Sequence, residues 1–292
     1  MSRIVIKTRP RPVVYGNRIR NDGPIGKFTT QLVEGHSAKP STGKAFVILT
    51  ACYNKRLFIT ECIKSVMEQD YRPILFACID DCSTDGSLKQ ILSVKEDMKK
   101  SGISFSIYRN DSRAYCSNSY IKLLSYCRGD YYGVLDADDM LMPGAPSFIA
   151  DIYEKNPQIA YIWTQFQICD QNMVYKKTGI SSIPPPGKSF LGMGRQHAFS
   201  HWRTFSNRID AKKVFRKDLA SAVDKDMGYN LEELGTGMFV DKECYMYREG
   251  IGGSICSTYK PKARWTHIMK EAQLRRAANN IIALPTVKWV EP

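Results

Sequence analysis

No stretch of this 292-residue chain approaches the roughly 18 consecutive apolar residues of a membrane-crossing helix. The polar start Met1-Ser2-Arg3 also lacks the apolar segment of a secretory signal. A soluble, cytoplasmic protein is therefore expected. The paired C-x-x-C spacing of zinc ribbons and redox motifs is missing too. The nine cysteines are odd in number and scattered, and Cys62, Cys78 and Cys169 fall inside apolar runs. That argues against a disulfide frame or a zinc site and for buried, reduced thiols. With no internal repeat, solenoids and propellers are set aside. The length and the 43% hydrophobic content allow a full core, either as one large domain or as one domain with extensions.

Basic charge, by contrast, is present in excess, and it is unevenly placed. Of the net +13, residues 1–44 carry nine Lys/Arg against two Asp/Glu, and residues 259–292 carry seven against two. The middle, 45–258, is almost neutral, with 26 against 25. Basic flanks on a neutral core suit an anionic partner, either nucleic acid or an acidic membrane surface, although flanks that only aid solubility would look the same.

Periodicity and breakers organise the chain. Residues 1–44 hold Arg9-Pro10-Arg11-Pro12, Gly23-Pro24 and Ser37 to Gly43 with little amphipathic period, so they read as a basic arm, extended on the core or partly disordered. From Ala45 onward, strands at 46–50, 74–79, 103–108 and 131–135 alternate with helices near 57–69, 84–100 and 117–127. This alternation predicts an α/β domain with a mostly parallel central sheet covered on both faces. A helix near 146–155 and a strand at 159–166 follow. The Ser181 to Gly187 and Gly192 to Gly194 stretch is an irregular loop suited to border a binding site. The expected division is a basic arm at 1–44, a core at 45–258 with halves 45–139 and 140–258, and a basic helical extension at 259–292.

Three polar clusters mark the core: Thr50-Ala51-Cys52-Tyr53-Asn54, Asp80-Asp81-Cys82-Ser83-Thr84-Asp85-Gly86-Ser87, and Leu135-Asp136-Ala137-Asp138-Asp139. Each follows an apolar run, where open α/β sheets hold their ligands. Three carboxylates within Asp136–Asp139 repel one another unless a cation sits among them, and a metal-bound diphosphate is the simplest cation-bridged ligand.

Together these residues resemble the family 2 glycosyltransferases of GT-A (Rossmann-like) fold, over about Ala45 to Ser254. TACYN is similar to that family's P-x-Y-N strand signature with Thr50 in place of proline, DDCSTDGS to its nucleotide loop, and LDADD to its D-x-D motif with the extra aspartate. The resemblance implies an inverting transfer from a nucleoside diphosphate sugar, expected to be a uridine one, with Mn2+ or Mg2+. It makes Asp138 the metal ligand and sets Asp136 at the ribose or beside the metal, with Ala137 between them and Asp139 orienting the turn. Asp81 is expected at the base, with Thr50, Ala51, Tyr53 and Asn54 lining the same pocket and Arg113 as a nucleotide contact.

An inverting transfer also needs a base opposite the leaving group. Residues 223–235 are similar to the family's helix that starts at an aspartate and closes at a glycine, which favours Asp224 over Asp226. Helical spacing agrees: Asp224 falls on the side of Met227, Leu231 and Leu234, and Asp226 points away from that stripe. Asp224 also fits a helix N-cap. Ser200-His201-Trp202-Arg203-Thr204-Phe205 resembles a segment found in a subset of the family. Arg203 suits a phosphate and Trp202 suits stacking on a sugar or base, with His201 beside them. The histidine that relatives carry after the Tyr245 to Arg248 strand is missing near Gly250, and His267 is the available substitute. For the acceptor, basic flanks on a neutral core point to a hydroxylated modified base in DNA, ahead of a cell-surface or lipid-linked glycan. A noncatalytic sugar-nucleotide or nucleic-acid binding module is the other class of reading.

Overall fold

The computed structural model describes residues 27–38, 42–186, 188–193, 199–217, 219–251 and 261–289. The first half runs β1 (Thr30–His36), β2 (Phe46–Cys52), α1 (Ile59–Met67), β3 (Ile74–Asp80), α2 (Ser87–Ser93), α3 (Lys95–Lys100), β4 (Ser104–Asn110), α4 (Tyr115–Tyr126) and β5 (Tyr131–Val134). The second half runs β6 (Met140–Leu141), α5 (Ala145–Lys155), β7 (Ile159–Cys169), β8 (Tyr175–Thr178), β9 (Arg203–Ser206), α6 (Val223–Leu234), β10 (Thr236–Arg248), α7 (Pro261–Asn279) and β11 (Thr286–Lys288). The strands form one sheet in the order β1-β4-β3-β2-β5-β9-β7-β10-β11, with β6 on β10 and β8 on β7.

In the parallel block β4-β3-β2-β5, strands β3, β2 and β5 are buried on both faces, as sheets covered on both sides require, while β4 alternates buried and partly exposed residues. Along β2, Phe46 and Ile48 face one core with Ile63 and Val66 of α1 and Ile149 of α5. Val47 and Leu49, pointing the other way, meet Leu123 of α4 and Met227 and Leu231 of α6. Each such aliphatic side chain contributes about 1.5–3 kcal/mol on burial, so the two layers fix the carboxyl ends of β2, β3 and β5 along one rim.

Two features depart from expectation. The helix expected from 84 to 100 is two, broken at Val94, and Asp85 supports its start by accepting from the Ser87 amide at 2.9 Å. Between β5 and β7 lies β9, antiparallel to both, which periodicity does not reveal. Its direction matters. Arg203 opens β9 and pairs with Val134 at the end of β5, so the preceding His201 arrives beside the acidic loop.

Neither flank is simply appended. Part of the arm, Thr30–His36, is the sheet's edge strand on β4, fixed by the Thr30 hydroxyl on Asn110 Oδ1 at 2.7 Å. The C-terminal extension docks as well: Ile268 and Ala272 of α7 are buried against the α6 side, and β11 pairs with β10. Residues 1–26, which hold six of the arm's basic side chains, lie outside the described residues, as do residues 252–260.

Candidate active site

The loop after β5 is held in place from across the molecule. Asp139, 1% exposed, closes the turn through its amide on the Asp136 carbonyl. Its carboxylate accepts from the Tyr245 hydroxyl and the Arg248 amide, each at 2.8 Å. Tyr245 in turn accepts from the Asp136 amide at 3.1 Å, and Arg248 Nε donates to the Asp138 carbonyl at 2.8 Å. Burial, reinforced by the charges of Asp138 and Asp136, pushes the Asp139 carboxyl well above the ordinary range. It thus anchors the turn, as its sequence position suggests, while Asp136 and Asp138 remain partly open.

Asp136 receives Arg203 Nη2 at 3.2 Å and the Tyr120 hydroxyl at 3.3 Å. Asp138 is paired with the Lys55 ammonium. His201 stands beside them, stacked on Tyr245 at 4.5 Å and Tyr247 at 5.5 Å, with the edge of Phe166 at 5.4 Å. Arg203 Nη2 lies 3.1 Å from His201 Nδ1, and because a guanidinium can only donate, Nδ1 accepts. Burial disfavours charge on Arg203, but the carboxylates of Asp136 and Asp224 outweigh it and hold the guanidinium above its ordinary value. Asp136, Asp139 and His201 each place one ligating atom within 4.8 Å of the others. Carboxylate oxygen with one imidazole, crowded by like charge, is a donor set that fits a divalent cation.

Two expectations are corrected here. Trp202 cannot serve as a stacking platform for a ligand. It is fully buried and lies on Phe46 with ring centroids 5.3 Å apart, and a Cβ on Gly133 would come within 2.4 Å of its ring. The β9 pleat explains this, because alternate residues face opposite ways, and Arg203 takes the site side. His267 is not in the acidic group. It sits on α7 with Nε2 3.2 Å from Glu271, and the histidine at the carboxylates is His201.

On the other side of the rim, Arg113 is packed between aromatic rings, 3.6 Å from the Tyr53 centroid and 4.7 Å from that of Tyr115. Such sandwiching fixes a planar cation at the mouth of β2. Asn54, in the left-handed region that asparagine tolerates, ties the two loops together: its amide donates to Ser83 Oγ and its side-chain oxygen accepts from Thr84. Asp81 is 3% exposed and accepts from the amides of Ala114 and Tyr115 and from Asn110 Nδ2, all within 2.8 Å. Its loop contacts therefore run to the start of α4, whereas Ser83 bonds Asp80 instead. Thr50 and Ala137 are buried, Ala51 is half-buried, and the Thr50 hydroxyl has no hydrogen-bond partner among the described residues.

The two acidic residues that open α6 are reversed in burial. Asp226, expected to point away from the apolar stripe, is 1% exposed, 3.5 Å from Arg216 Nε and bonded by Asn230 Nδ2 at 3.1 Å. Asp224 is half-buried, and the N-cap is Ala222. Helical period alone misplaces Asp226 because α6 is buried continuously from Lys225 to Glu232, with α7 supplying a second covering face. Burial, partly opposed by Arg216 and Arg275, pushes the Asp226 carboxyl up.

Sequence reasoning missed Lys55, Tyr120, Tyr245 and Arg248. A usable signal existed for the tyrosines on β10. Tyr245 and Tyr247 are two apart and share one face of a strand, where a paired aromatic surface is unusual without something to pack against it.

The family profile described as Glycosyl transferase family 2 matches residues 47–222. Chondroitin synthase from Escherichia coli is 27% identical over 204 residues, covering 68% of this chain and 28% of that protein. Poly-beta-1,6-N-acetyl-D-glucosamine synthase from Staphylococcus aureus (strain COL) is 25% identical over 154 residues, 51% of this chain and 36% of that one. The chain thus spans well under half the length of either. Among solved structures, S. aureus TarS 1-349 in complex with UDP-GlcNAc superposes with a TM-score of 0.64 at 15% identity, covering 79% of this chain and 66% of that one. A mannosyltransferase from Pyrobaculum calidifontis in complex with GDP-Man and Mn2+ gives 0.51 at 12% identity, covering 83% and 77%.

Proposed function

The chain belongs to glycosyl transferase family 2, and from that premise we propose that it is a metal-dependent, inverting transferase that moves a sugar from a uridine diphosphate to a hydroxyl acceptor. The observation that carries this reading is the link between the two halves of the site: Arg203 touches Asp136 and also feels the charge of Asp224. An inverting transfer needs a base for the acceptor hydroxyl and positive charge for the leaving diphosphate, and one guanidinium couples the carboxylates proposed for each part.

Asp136 and His201, whose ligating atoms converge, would hold the cation together with Asp138, which the family resemblance names as the ligand, while Asp139, also in that group but already bonded to Tyr245 and Arg248, fixes the loop behind them. When bound, a divalent ion neutralises charge growing on the departing diphosphate. Lys55 already sets a cation against Asp138, which marks the position as one suited to positive charge. Tyr53, Arg113 and Asp81 would hold the nucleoside, with the backbone of Thr50, Ala51 and Asn54 beside it. Asp224 accepts the proton of the attacking hydroxyl. Arg203 holds Asp136 in place and supplies a fixed positive charge near the phosphates. The complexes of TarS with UDP-GlcNAc and of the mannosyltransferase with GDP-Man and Mn2+ support a sugar-nucleotide donor and leave its base and sugar to experiment.

For the acceptor, the basic flanks support an anionic polymer such as DNA bearing a hydroxylated base. A glycan hydroxyl is the second reading, favoured by the polysaccharide synthases among the relatives. The decisive experiment is hydrolysis of UDP-glucose, UDP-GlcNAc, UDP-glucuronate and GDP-mannose with Mn2+ and no acceptor. Release of nucleoside diphosphate from one of them, abolished by chelation, is the expected result. No release from any would leave a binding module.

A further inference from the structure

Arg276 occupies an unusual place for a charged residue. On α7 it continues the buried stripe of Ile268 and Ala272 at four-residue spacing, and it is itself 9% exposed. Its guanidinium reaches two elements, α6 and the loop at Ser189. Nη2 donates to the Tyr229 carbonyl at 2.9 Å and to Glu232 Oε2 at 3.0 Å, and Nε donates to Glu233 Oε1 at 2.8 Å, all on α6. Nη1 lies 3.4 Å from Ser189 Oγ on the irregular loop, and the next residue, Phe190, gives its amide to Glu232 Oε1 at 2.6 Å. Arg275 adds a two-pronged contact to Glu233 and bonds Asn230.

A buried ion pair is a poor way to gain stability, since an apolar contact of the same volume often serves as well. What a planar fork with fixed donors adds is register. We propose that Arg276 is a positioning residue for the transfer, locking α6 and the loop at Ser189–Phe190 into one arrangement and so setting where Asp224 stands. Tyr229 lies five residues after Asp224, about 7.5 Å along the helix axis, close enough for a slip at one to move the other. The proposal rests on the reading of Asp224 as the base. It also makes α7, which lies beyond the family-matched segment 47–222, part of the working enzyme.

The test uses the full chain and whichever of the four nucleotide sugars it hydrolyses fastest. Arg276→Lys keeps the charge but loses the fork, and Glu232→Gln keeps the shape but loses the pair, so one variant remains if the other does not fold. Each is expected to lower kcat about 10- to 100-fold while calorimetric affinity for UDP with Mn2+ stays at the wild-type value. Hydrogen exchange should quicken at 189–191 and in the first turn of α6 and stay unchanged in β2 and β3. Combined with Asp224→Asn, Arg276→Lys should slow hydrolysis no further than Asp224→Asn alone. Wild-type kcat for both variants, or fully additive losses in the double variant, overturns the proposal. A wild-type rate for Asp224→Asn overturns the base assignment and this inference with it, so the two failures are told apart.

Discussion

Four aspartates of identical chemistry do different work here because distant residues set their surroundings. Asp139 is anchored by Tyr245 and Arg248, more than a hundred positions away in sequence, whereas the Asp138 carboxylate pairs with Lys55. Replacing Asp138 with Asn removes charge and little else, so metal-dependent donor affinity by calorimetry should disappear while circular dichroism stays unchanged. Asp139→Asn has the opposite signature. Its new amide must face either the Tyr245 hydroxyl or the Arg248 N–H, and a donor against the latter costs about 1–3 kcal/mol, measured as a lower urea midpoint. The pair on α6 separates in the same way. Asp224→Asn should cut donor hydrolysis by several orders of magnitude, with UDP affinity kept, and Asp226→Asn should leave turnover close to wild type. Because burial raises the Asp226 carboxyl, its ionisation opposes folding: the contribution is most favourable below the ordinary aspartate value near 3.9 and is lost as pH rises through the raised one. The melting temperature of Asp226→Asn relative to wild type should therefore climb as pH rises above the ordinary aspartate value of about 3.9. A flat difference would show that Arg216 fully offsets the burial. Sequence named these residues and the family resemblance favoured Asp138 and Asp224, but their burial was not legible, since it depends on α7 and β10.

Elements with strong period were legible, and those whose identity depends on neighbours were not. The strands β2, β3, β4 and β5 and the helices between them lie within a few residues of where apolar pattern puts them. They carry the three polar clusters to one rim, which is why the family signature could be recognised. The strand β9 escaped because Arg203–Ser206 is only four residues long and carries three polar side chains, Arg203, Thr204 and Ser206, that are all buried. Its strand character comes from β5 and β7 on either side rather than from its own alternation. For the same reason Trp202 passed for a ligand contact. Gly133, on β5 facing it, has no room for a side chain, so Gly133→Ala drives a methyl into the indole, with Cζ2 at 2.4 Å and Cε2 at 2.8 Å. Separation of β5 from Trp202 should cost about 1–3 kcal/mol by urea denaturation. Because β9 carries Arg203 and follows His201, donor affinity should fall as well. Stability and affinity both at wild-type values would mean that the indole can retreat without moving the strand.

At the scale of the molecule, charge that looked free in the sequence is partly committed. Arg275 and Arg276 are paired with Glu232 and Glu233, Lys288 reaches Asp241 at 3.1 Å, and Lys44 pairs with Glu154. No described helix is long and apolar enough to cross a membrane, so attraction to an anionic surface or polymer must come from the charges that remain. The C-terminal flank also carries Lys260, Lys262 and Arg264, whose side chains lie outside the described ones. If the flanks hold DNA, binding should weaken steeply with salt, by a slope of about −0.9 in log K against log salt for each phosphate neutralised. Neutralising Lys260, Lys262 and Arg264 together should make that slope shallower by up to roughly three such contacts, while donor hydrolysis in the neutral core stays close to wild type. Substituting Lys288, already paired with Asp241, should change the slope much less. Binding to anionic vesicles with none to duplex DNA would point to a membrane surface instead. No binding to DNA at low salt, near about 50 mM, would remove the nucleic-acid acceptor and leave the glycan hydroxyl, because the donor chemistry at Asp138 and Asp224 does not depend on the flanks.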